Sequence, residues 1–452
     1  MDNKFKKIIL LIGDIVVLYL SLYFTLFLRY LEQPSMDMWQ KHSFIFSIAF
    51  IFWIIIFYIS DLYNIHYATN NSKFINISIK SIGIAGLLTS AIFYINPQIG
   101  IAPKTNLVIY IFVFFVLFII WRRFFNWSIN AYLPKNNIAI IGFNKQAEEL
   151  IATLRAKPHL GYNVKFLVSN DSINNLYNIE VINNISQLKK LIIDKKIRTI
   201  ILASDPHQSK ELRAELFSCL PLKINIVSLT NFYEDITGKI PIDSISQMWF
   251  LENLSEGRKK LFDIIKRIYD IVLSIIIIMI TIIFWTIIGL IIKIESKGPI
   301  FFYQIRSGKN NKQFKLIKFR TMKQKNNNFS PTVKNDARIT KFGLFLRKSR
   351  IDEIPQVLNI LIGDMSFVGP RPERPELIEK LKKQILFYRE RMLVKPGLTG
   401  WDQVSGEYHS PSYEDTLKKM QFDLFYIKNR SIYLDISILL KTIATVFKNY
   451  GR

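Results

Sequence analysis

The chain has 452 residues, half of them hydrophobic, with a mean hydropathy of +0.19 and a formal net charge of +25. That combination excludes a soluble globule throughout, and the length allows two or three domains. A single cysteine, Cys219, excludes an internal disulfide or a cysteine-based zinc site, and the scattered His42, His66, His159, His207 and His409 show no metal-ligand spacing.

Four apolar segments come first, at residues 8–28, 44–62, 75–95 and 107–121. Each nears or reaches the roughly 20 residues that cross a bilayer as a helix. Lys4, Lys6 and Lys7 precede the first segment, and no small-residue cleavage site follows it. An anchor is expected there rather than a removable signal. Lys73 and Lys80 lie between the second and third segments, and Arg122 and Arg123 follow the fourth. Basic residues collect on the cytoplasmic side, so both ends of this block are expected there. The positive charge therefore reads as membrane topology, with no nucleic-acid partner needed. Asp14, Ser21, Thr25 and Ser90 lie inside the spans, where they mark either a pathway or helix–helix contacts.

From residue 134 the pattern turns soluble. Strand-like runs at 138–141, 164–168, 199–203 and 223–227 alternate with helical patterns at 146–154, 186–195 and 209–219. Such alternation predicts a parallel α/β sheet of Rossmann type. After Gly142 the loop reads Phe143-Asn144-Lys145-Gln146, without the later glycines that let a pyrophosphate approach a helix terminus. A structural or regulatory domain is expected here rather than a dinucleotide site.

The third region begins near Leu251. Arg258, Lys259, Lys260, Lys266 and Arg267 lead into an apolar run at 271–292, and Lys293, Lys297, Arg306, Lys309 and Lys312 follow it. A crossing helix would strand the second basic group on the far side. A re-entrant helix that returns to the same face satisfies both flanks, with Thr281, Thr286 and Gly289 at its bend. Beyond Leu417 the pattern is helical, with Phe422, Phe425, Tyr426 and Tyr433 among lysines. It fits either a core helix or one lying in the membrane interface. The predicted organisation is a four-helix transmembrane anchor (1–130), a Rossmann-like domain (131–250) and a third domain (251–452).

Chemistry concentrates at Asp352-Glu353-Ile354-Pro355-Gln356. A proline favours the first turn of a helix, which would set both acids beside its free N–H groups. Arg338, Arg347 and Arg350 precede the pair, and Gly369-Pro370-Arg371-Pro372 follows. Carboxylates among fixed cations suit work on phosphates, because the acid attacks phosphorus or holds a divalent metal while the cations neutralise oxygen charge. Phosphoryl transfer at a membrane surface is the chemistry this pattern points to.

The motifs also fall in a recognisable order. Lys266-Arg267-Ile268-Tyr269-Asp270 comes first, then Glu295-Ser296-Lys297-Gly298-Pro299, Lys318-Phe319-Arg320-Thr321-Met322 and Asp336-Ala337-Arg338-Ile339-Thr340. After the acid pair come Gly363-Asp364-Met365-Ser366-Phe367-Val368-Gly369-Pro370-Arg371-Pro372 and Lys395-Pro396-Gly397-Leu398-Thr399-Gly400-Trp401. Over roughly residues 260–450 this series resembles the bacterial sugar transferase family, the monotopic phosphoglycosyl transferases. With the spans and the Rossmann-like domain, the chain looks like the large form, the polyprenyl-phosphate hexose-1-phosphate transferases that initiate exopolysaccharide, capsule or O-antigen synthesis.

The resemblance implies transfer of a sugar 1-phosphate from a UDP-hexose to undecaprenyl phosphate, with UMP released. It implies a bacterial inner-membrane, multi-pass enzyme whose catalytic domain is cytoplasmic. Asp352 would be the nucleophile, forming a covalent phosphosugar, and would also touch Mg2+; Glu353 would assist as an acid/base or orienting group. Lys318, Arg320, Arg338, Arg347, Arg371 and Asp423 are the candidates to bind substrate, while Asp364 is expected to be structural. The family's usual donors are glucose and galactose; the sequence does not choose between them, and a homodimer fits without being required. Two departures stand out. The family's Ser-Pro helix break is replaced by Ile283-Phe284, and Glu407 follows Trp401-Asp402-Gln403-Val404 where the family often has Arg. The competing expectation is a non-catalytic, nucleotide-sugar-binding regulatory or assembly protein. An oxidoreductase centred on 134–250 is disfavoured by the missing glycines and the lack of a Tyr-x-x-x-Lys pair.

Overall fold

The computed structural model describes residues 3–63, 72–95, 103–132, 136–169, 178–204, 209–254, 259–323, 336–405 and 412–447. Arg258 and Glu407 lie outside them. The chain divides into two units, Met1–Leu229 and Thr230–Arg452.

The first unit opens with α1 (Asn3–Tyr30), α2 (Met36–Ile59), α3 (Ser72–Ile95) and α4 (Pro103–Tyr132). All four are long and apolar enough to cross a membrane. Their shared core is aromatic: Trp53, Phe57, Tyr110, Phe114 and Phe118 are almost fully buried, and the Trp53 indole N–H donates to Thr89 Oγ1 at 2.8 Å. Ile12, Phe44, Leu87 and Phe112 point outward, as lipid-facing residues do. Of the polar residues inside α1, Asp14 is ion-paired to Arg122 of α4 at 2.6 Å, and Arg122 also donates to the Leu62 carbonyl at 2.9 Å. A buried charge is tolerated only when paired and hydrogen-bonded, so this contact fixes how α1 meets α4. Ser21 and Thr25 donate to the carbonyls of Val17 and Ser21, four residues back. In α1 these polar groups therefore serve helix packing and local bonding.

The rest of the first unit alternates strand and helix: β1 (Asn136–Ile141), α5 (Lys145–Ala156), β2 (Tyr162–Val168), β3 (Glu180–Ile182), α6 (Leu188–Asp194), β4 (Thr199–Leu202), α7 (Lys210–Cys219) and β5 (Asn225–Ser228). The five strands pair in parallel in the order β3-β2-β1-β4-β5, the doubly wound arrangement that the alternation predicts. Three-residue β3 is the strand the pattern does not reveal, being too short to show a period. Gly142 has φ +91°, and a Cβ there would meet the Ser204 backbone nitrogen at 2.8 Å. Close passage of two backbones thus accounts for this glycine without a ligand. Asn144 caps α5 by accepting from the Ala147 N–H at 2.8 Å.

The second unit contains α8 (Leu229–Thr237), which starts at the boundary, then α9 (Gln247–Asn253), α10 (Lys260–Glu295), β6 (Phe301–Ser307), β7 (Gln313–Phe319), α11 (Lys341–Lys348), α12 (Gln356–Ile362), β8 (Ser366–Val368), α13 (Pro375–Gln384), β9 (Gly397–Thr399), α14 (Trp401–Val404), α15 (Tyr413–Asn429) and α16 (Ile432–Phe447). Residues from Thr230 onward belong to this unit, upstream of the 250/251 division expected from composition. Glu234 is ion-paired to Lys428 at 2.6 Å, and Trp401 Nε1 donates to the Gly238 carbonyl at 3.0 Å, which ties this stretch down. β6 and β7 form an antiparallel hairpin, and β8 pairs with β9 in parallel. α15 buries Met420, Leu424, Tyr426 and Ile427 and is a core helix. α16 buries Leu434 and Ile438 but leaves Tyr433, Ile436 and Ile443 exposed.

α10 is the fifth helix able to span a membrane by length and composition. It is helical throughout its 36 residues, with no proline inside. Its two ends are tied differently. Asp270 accepts from the Ser366 hydroxyl and the Phe367 N–H, both at 3.1 Å. Ile292 packs with Phe319 and Leu346, and Glu295 accepts from the Phe342 N–H at 3.0 Å. Between these anchored ends, Met279, Ile280, Ile282, Ile283 and Phe284 are all exposed.

Candidate active site

The acid pair sits in a tight turn between α11 and α12. α11 closes at Ser349, and Arg350 follows in the left-handed region (φ 57°, ψ 15°). A non-glycine residue there costs on the order of 1 kcal/mol. The reversal it makes leads into one 3-10 turn, Ile351–Glu353, and Pro355 then opens α12. The expected open helix end is not what forms. The Val357 and Leu358 N–H groups already donate to the carbonyls of Ile354 and Pro355, so the 3-10 turn closes the terminus that the sequence offers to phosphate. Charge around the acids must therefore come from side chains.

Asn359 places the first of these. Its side chain accepts from the Ile317 N–H at 3.0 Å and donates to the Lys315 carbonyl at 2.8 Å, clamping α12 against β7. At the end of β7, Lys318 reaches Glu353 at 2.6 Å. Arg371 arrives from the opposite side, 2.8 Å from the same Glu353 oxygen. Its loop is set by a backbone crossing so close that a Cβ at Gly397 would lie 2.1 Å from the Gly369 nitrogen. Arg391 supports the loop from beneath, donating to the Arg371 carbonyl at 3.0 Å and pairing with Asp423 at 2.9 Å.

The two acids have opposite electrostatics. Burial alone would raise the Glu353 carboxyl, but Arg371 and Lys318 outweigh it and hold Glu353 well below the usual range. Asp352 is only 9% exposed, and among the described residues its carboxylate makes no ion pair or hydrogen bond. Burial first, and then the neighbouring Glu353 charge, push it up to about 6 against the pull of Lys318, Arg347 and Arg371. One acid is locked as a structural anion, while the other is a carboxylate of raised basicity facing three cations. Adjacent titratable groups pushed apart in this way are a mark of assigned acid, base and nucleophile roles.

Of the predicted residues, the structure thus brings together Asp352, Glu353, Lys318, Arg371 and Arg347; the last donates its Nε–H to Thr321 Oγ1 at 2.8 Å. It does not bring in three others. Arg320 is 6% exposed, and its guanidinium donates to the carbonyls of Lys297 and Ser296 at 2.8 and 2.7 Å and of Ile292 at 3.4 Å. It caps the C-terminal end of α10 instead of reaching a phosphate. Arg338 is clipped to Asp336 at 2.6 Å, two residues away. Asp423 is buried against Arg391, one layer behind Arg371. A shallow cleft beside the site is lined by Arg371, Glu373 and Arg391 but by neither acid of the pair. Asn359 and Arg391 carry the positioning and had no chemical motif to reveal them.

Among the described residues no group of three His, Cys, Asp or Glu side chains could hold a metal. With Glu353 engaged by two cations, Asp352 is the one carboxylate of the pair open to an ion. This donor set fits magnesium, which keeps several waters and binds through one or two carboxylates together with substrate phosphates.

A family model described as bacterial sugar transferase matches residues 261–449, the part of the chain that holds this site. A Bacillus subtilis protein named as the uncharacterized sugar transferase EpsL is 40% identical over 161 residues, 36% of this chain and 76% of that one. The chain belongs to the bacterial sugar transferase family. A second model, described as a CoA-binding domain, matches residues 58–228. The UDP-N-acetylgalactosamine-undecaprenyl-phosphate N-acetylgalactosaminephosphotransferase of Aeromonas hydrophila is 36% identical over 238 residues, 52% of this chain and 55% of that one. This chain therefore spans about half the length of that relative. The UDP-glucose:undecaprenyl-phosphate glucose-1-phosphate transferase of Klebsiella pneumoniae is 28% identical over 453 aligned residues, covering 97% of this chain and 94% of that one. The acid pair and its cations fall within the residues that the sugar transferase model matches.

Proposed function

We propose that this protein transfers a sugar 1-phosphate from a UDP-sugar to undecaprenyl phosphate, releasing UMP. The observation that carries the reading is the division of labour at the acid pair, with Asp352 ungripped among Lys318, Arg347 and Arg371. In the first step an Asp352 oxygen bonds to the sugar-bearing phosphorus as the bond to the UMP oxygen breaks. In the second, an oxygen of undecaprenyl phosphate bonds to that phosphorus and the Asp352 carboxylate leaves. Splitting one displacement into two suits a carboxylate nucleophile. Lys318 and Arg371, steadied by Glu353, supply fixed positive charge beside the reacting phosphate. Magnesium, held by Asp352 together with the diphosphate, would supply charge neutralisation between the two anions.

The same proposal places α1–α4 across the membrane as an anchor, with both basic flanks of α10 and the acid pair on its cytoplasmic face. In a straight helix Asp270 and Ile292 would stand about 33 Å apart, roughly the hydrocarbon thickness. Yet Asp270 is bonded to β8 and Glu295 to α11, both in one folded unit. That supports an α10 that dips into the membrane and returns. The Thr281 and Thr286 hydroxyls donate to the carbonyls of Ile277 and Ile283, a back-bonding that favours bending in a helix that has no proline. The apolar outer side of α16 suits the interface. Cysteines placed at Lys260 and Lys297 should react with an impermeant maleimide from the same side of the membrane. Labelling from opposite sides would mean that α10 crosses.

The reaction is tested by UMP release from purified protein with magnesium, undecaprenyl phosphate and a panel of UDP-sugars. Release with one sugar is the expected result and names the donor. No release with any UDP-sugar from folded protein would favour a binding or assembly role.

A further inference from the structure

We infer that the cavity at the N-terminal end of α10 is a second anion site, one that takes a phosphate group at the membrane surface, independently of the chemistry at Asp352. The cavity is open to solvent, and five cations line it: Lys266, Arg267, Lys309, Lys395 and Arg430. Two carboxylates, Asp263 and Asp270, answer them. Asp263 lies 3.6 Å from Arg430, and Asp270 is occupied by the Ser366 hydroxyl and the Phe367 N–H. Lys266 is ion-paired to Asp435, and Arg267 donates to the carbonyls of Ile360 and Leu361 at 2.6 and 2.7 Å. Lys309 and Lys395 differ from these: among the described residues neither ammonium forms an ion pair or hydrogen bond.

The geometry brings like charges together. A Cβ on Gly363 would lie 3.4 Å from both Arg267 Nη2 and Lys395 Nζ, so two cations converge on one point. Burial, reinforced by Arg267 and Lys309, holds the Lys395 ammonium below its ordinary value. Capping of the α12 carbonyls accounts for Arg267 but leaves Lys309 and Lys395 unexplained. A phosphate accepts several charge-assisted hydrogen bonds at once and relieves this repulsion. Lys266 and Arg267 directly precede the apolar stretch of α10, the depth at which anionic headgroups lie. None of Asp352, Glu353, Lys318 and Arg371 lines the cavity. A membrane phosphodiester and a free phosphate share the chemistry this site recognises.

Native mass spectrometry of the full-length protein, released from micelles containing phosphatidylglycerol, tests the lipid source, and a titration with inorganic phosphate followed by phosphorus NMR tests the soluble one. Lys309→Gln/Lys395→Gln should weaken binding at least about tenfold, the value of one lost charge-assisted hydrogen bond, with Lys418→Gln as an exposed control that leaves it unchanged. Loss of the lipid adduct in the double variant places the ligand in the membrane. Phosphate saturation that the variant loses, with no lipid adduct, places it in solution. Wild type and a normally melting double variant that behave alike toward both probes would overturn the site.

Discussion

Asp352→Asn is expected to abolish sugar-phosphate transfer, by at least about 10⁴-fold, because the amide cannot form the covalent link on which both proposed steps depend. Incubated with donor alone, wild-type protein should acquire a phosphosugar adduct and the variant none. The same substitution is expected to stabilise the metal-free protein. The folded Asp352 carboxyl is raised to about 6, above its unfolded value. Stability linked to its protonated form is fully present below the unfolded value and is lost as pH rises through about 6. A neutral amide avoids that loss. The variant should therefore be more stable than wild type at pH 7, on the order of 2 kcal/mol, with the gap shrinking as pH falls from 6 toward 4. Thermal unfolding in a chelator at several pH values measures it. A variant that still turns over, or that is less stable at pH 7, contradicts the environment described for Asp352.

Glu353→Gln is expected to harm both fold and activity. Its carboxylate is the shared partner of Lys318 and Arg371; Glu353 and Lys318 are largely buried, while Arg371 keeps more contact with solvent. Removing one member of a buried ionic group leaves the others uncompensated; with Arg371 partly solvated, the cost is about 2–3 kcal/mol. The freed cations then turn to Asp352. Loss of the Glu353 charge together with that new pairing lowers the Asp352 carboxyl below 6, leaving it ionised but masked and less basic. Turnover should fall on the order of 10²-fold, the usual effect of disturbing one preorganised charge. Wild-type turnover with wild-type stability would show that Glu353 does not hold the two cations in place.

Much of this was legible from one sequence because the signals are local. Long apolar runs flanked by Lys and Arg identify membrane helices, and α1–α4 and α10 lie where those runs do. Alternating runs gave the parallel sheet, since burial on both faces demands continuous apolar strands. Asp352, Glu353, Lys318 and Arg371 stand in motifs whose residue types already imply phosphate chemistry. Arg320 shares those motifs and still lies outside the site, because a motif records residue type while direction depends on packing. In this fold its guanidinium meets the carbonyls at the end of α10.

Composition and spacing along the chain thus suffice for the long apolar helices, the α/β sheet and the candidate acid pair, because each signal lies in consecutive sequence. Which acid is held by cations, and which is not, depends on how distant segments pack together. Glu353 is fixed by cations from residues 318 and 371, and Asp352 by none. Asn359 and Arg391, which bring those cations into position, act across 42 and 20 residues of chain. Contacts of that range are set when the chain packs, and no pattern within a short window of sequence carries them.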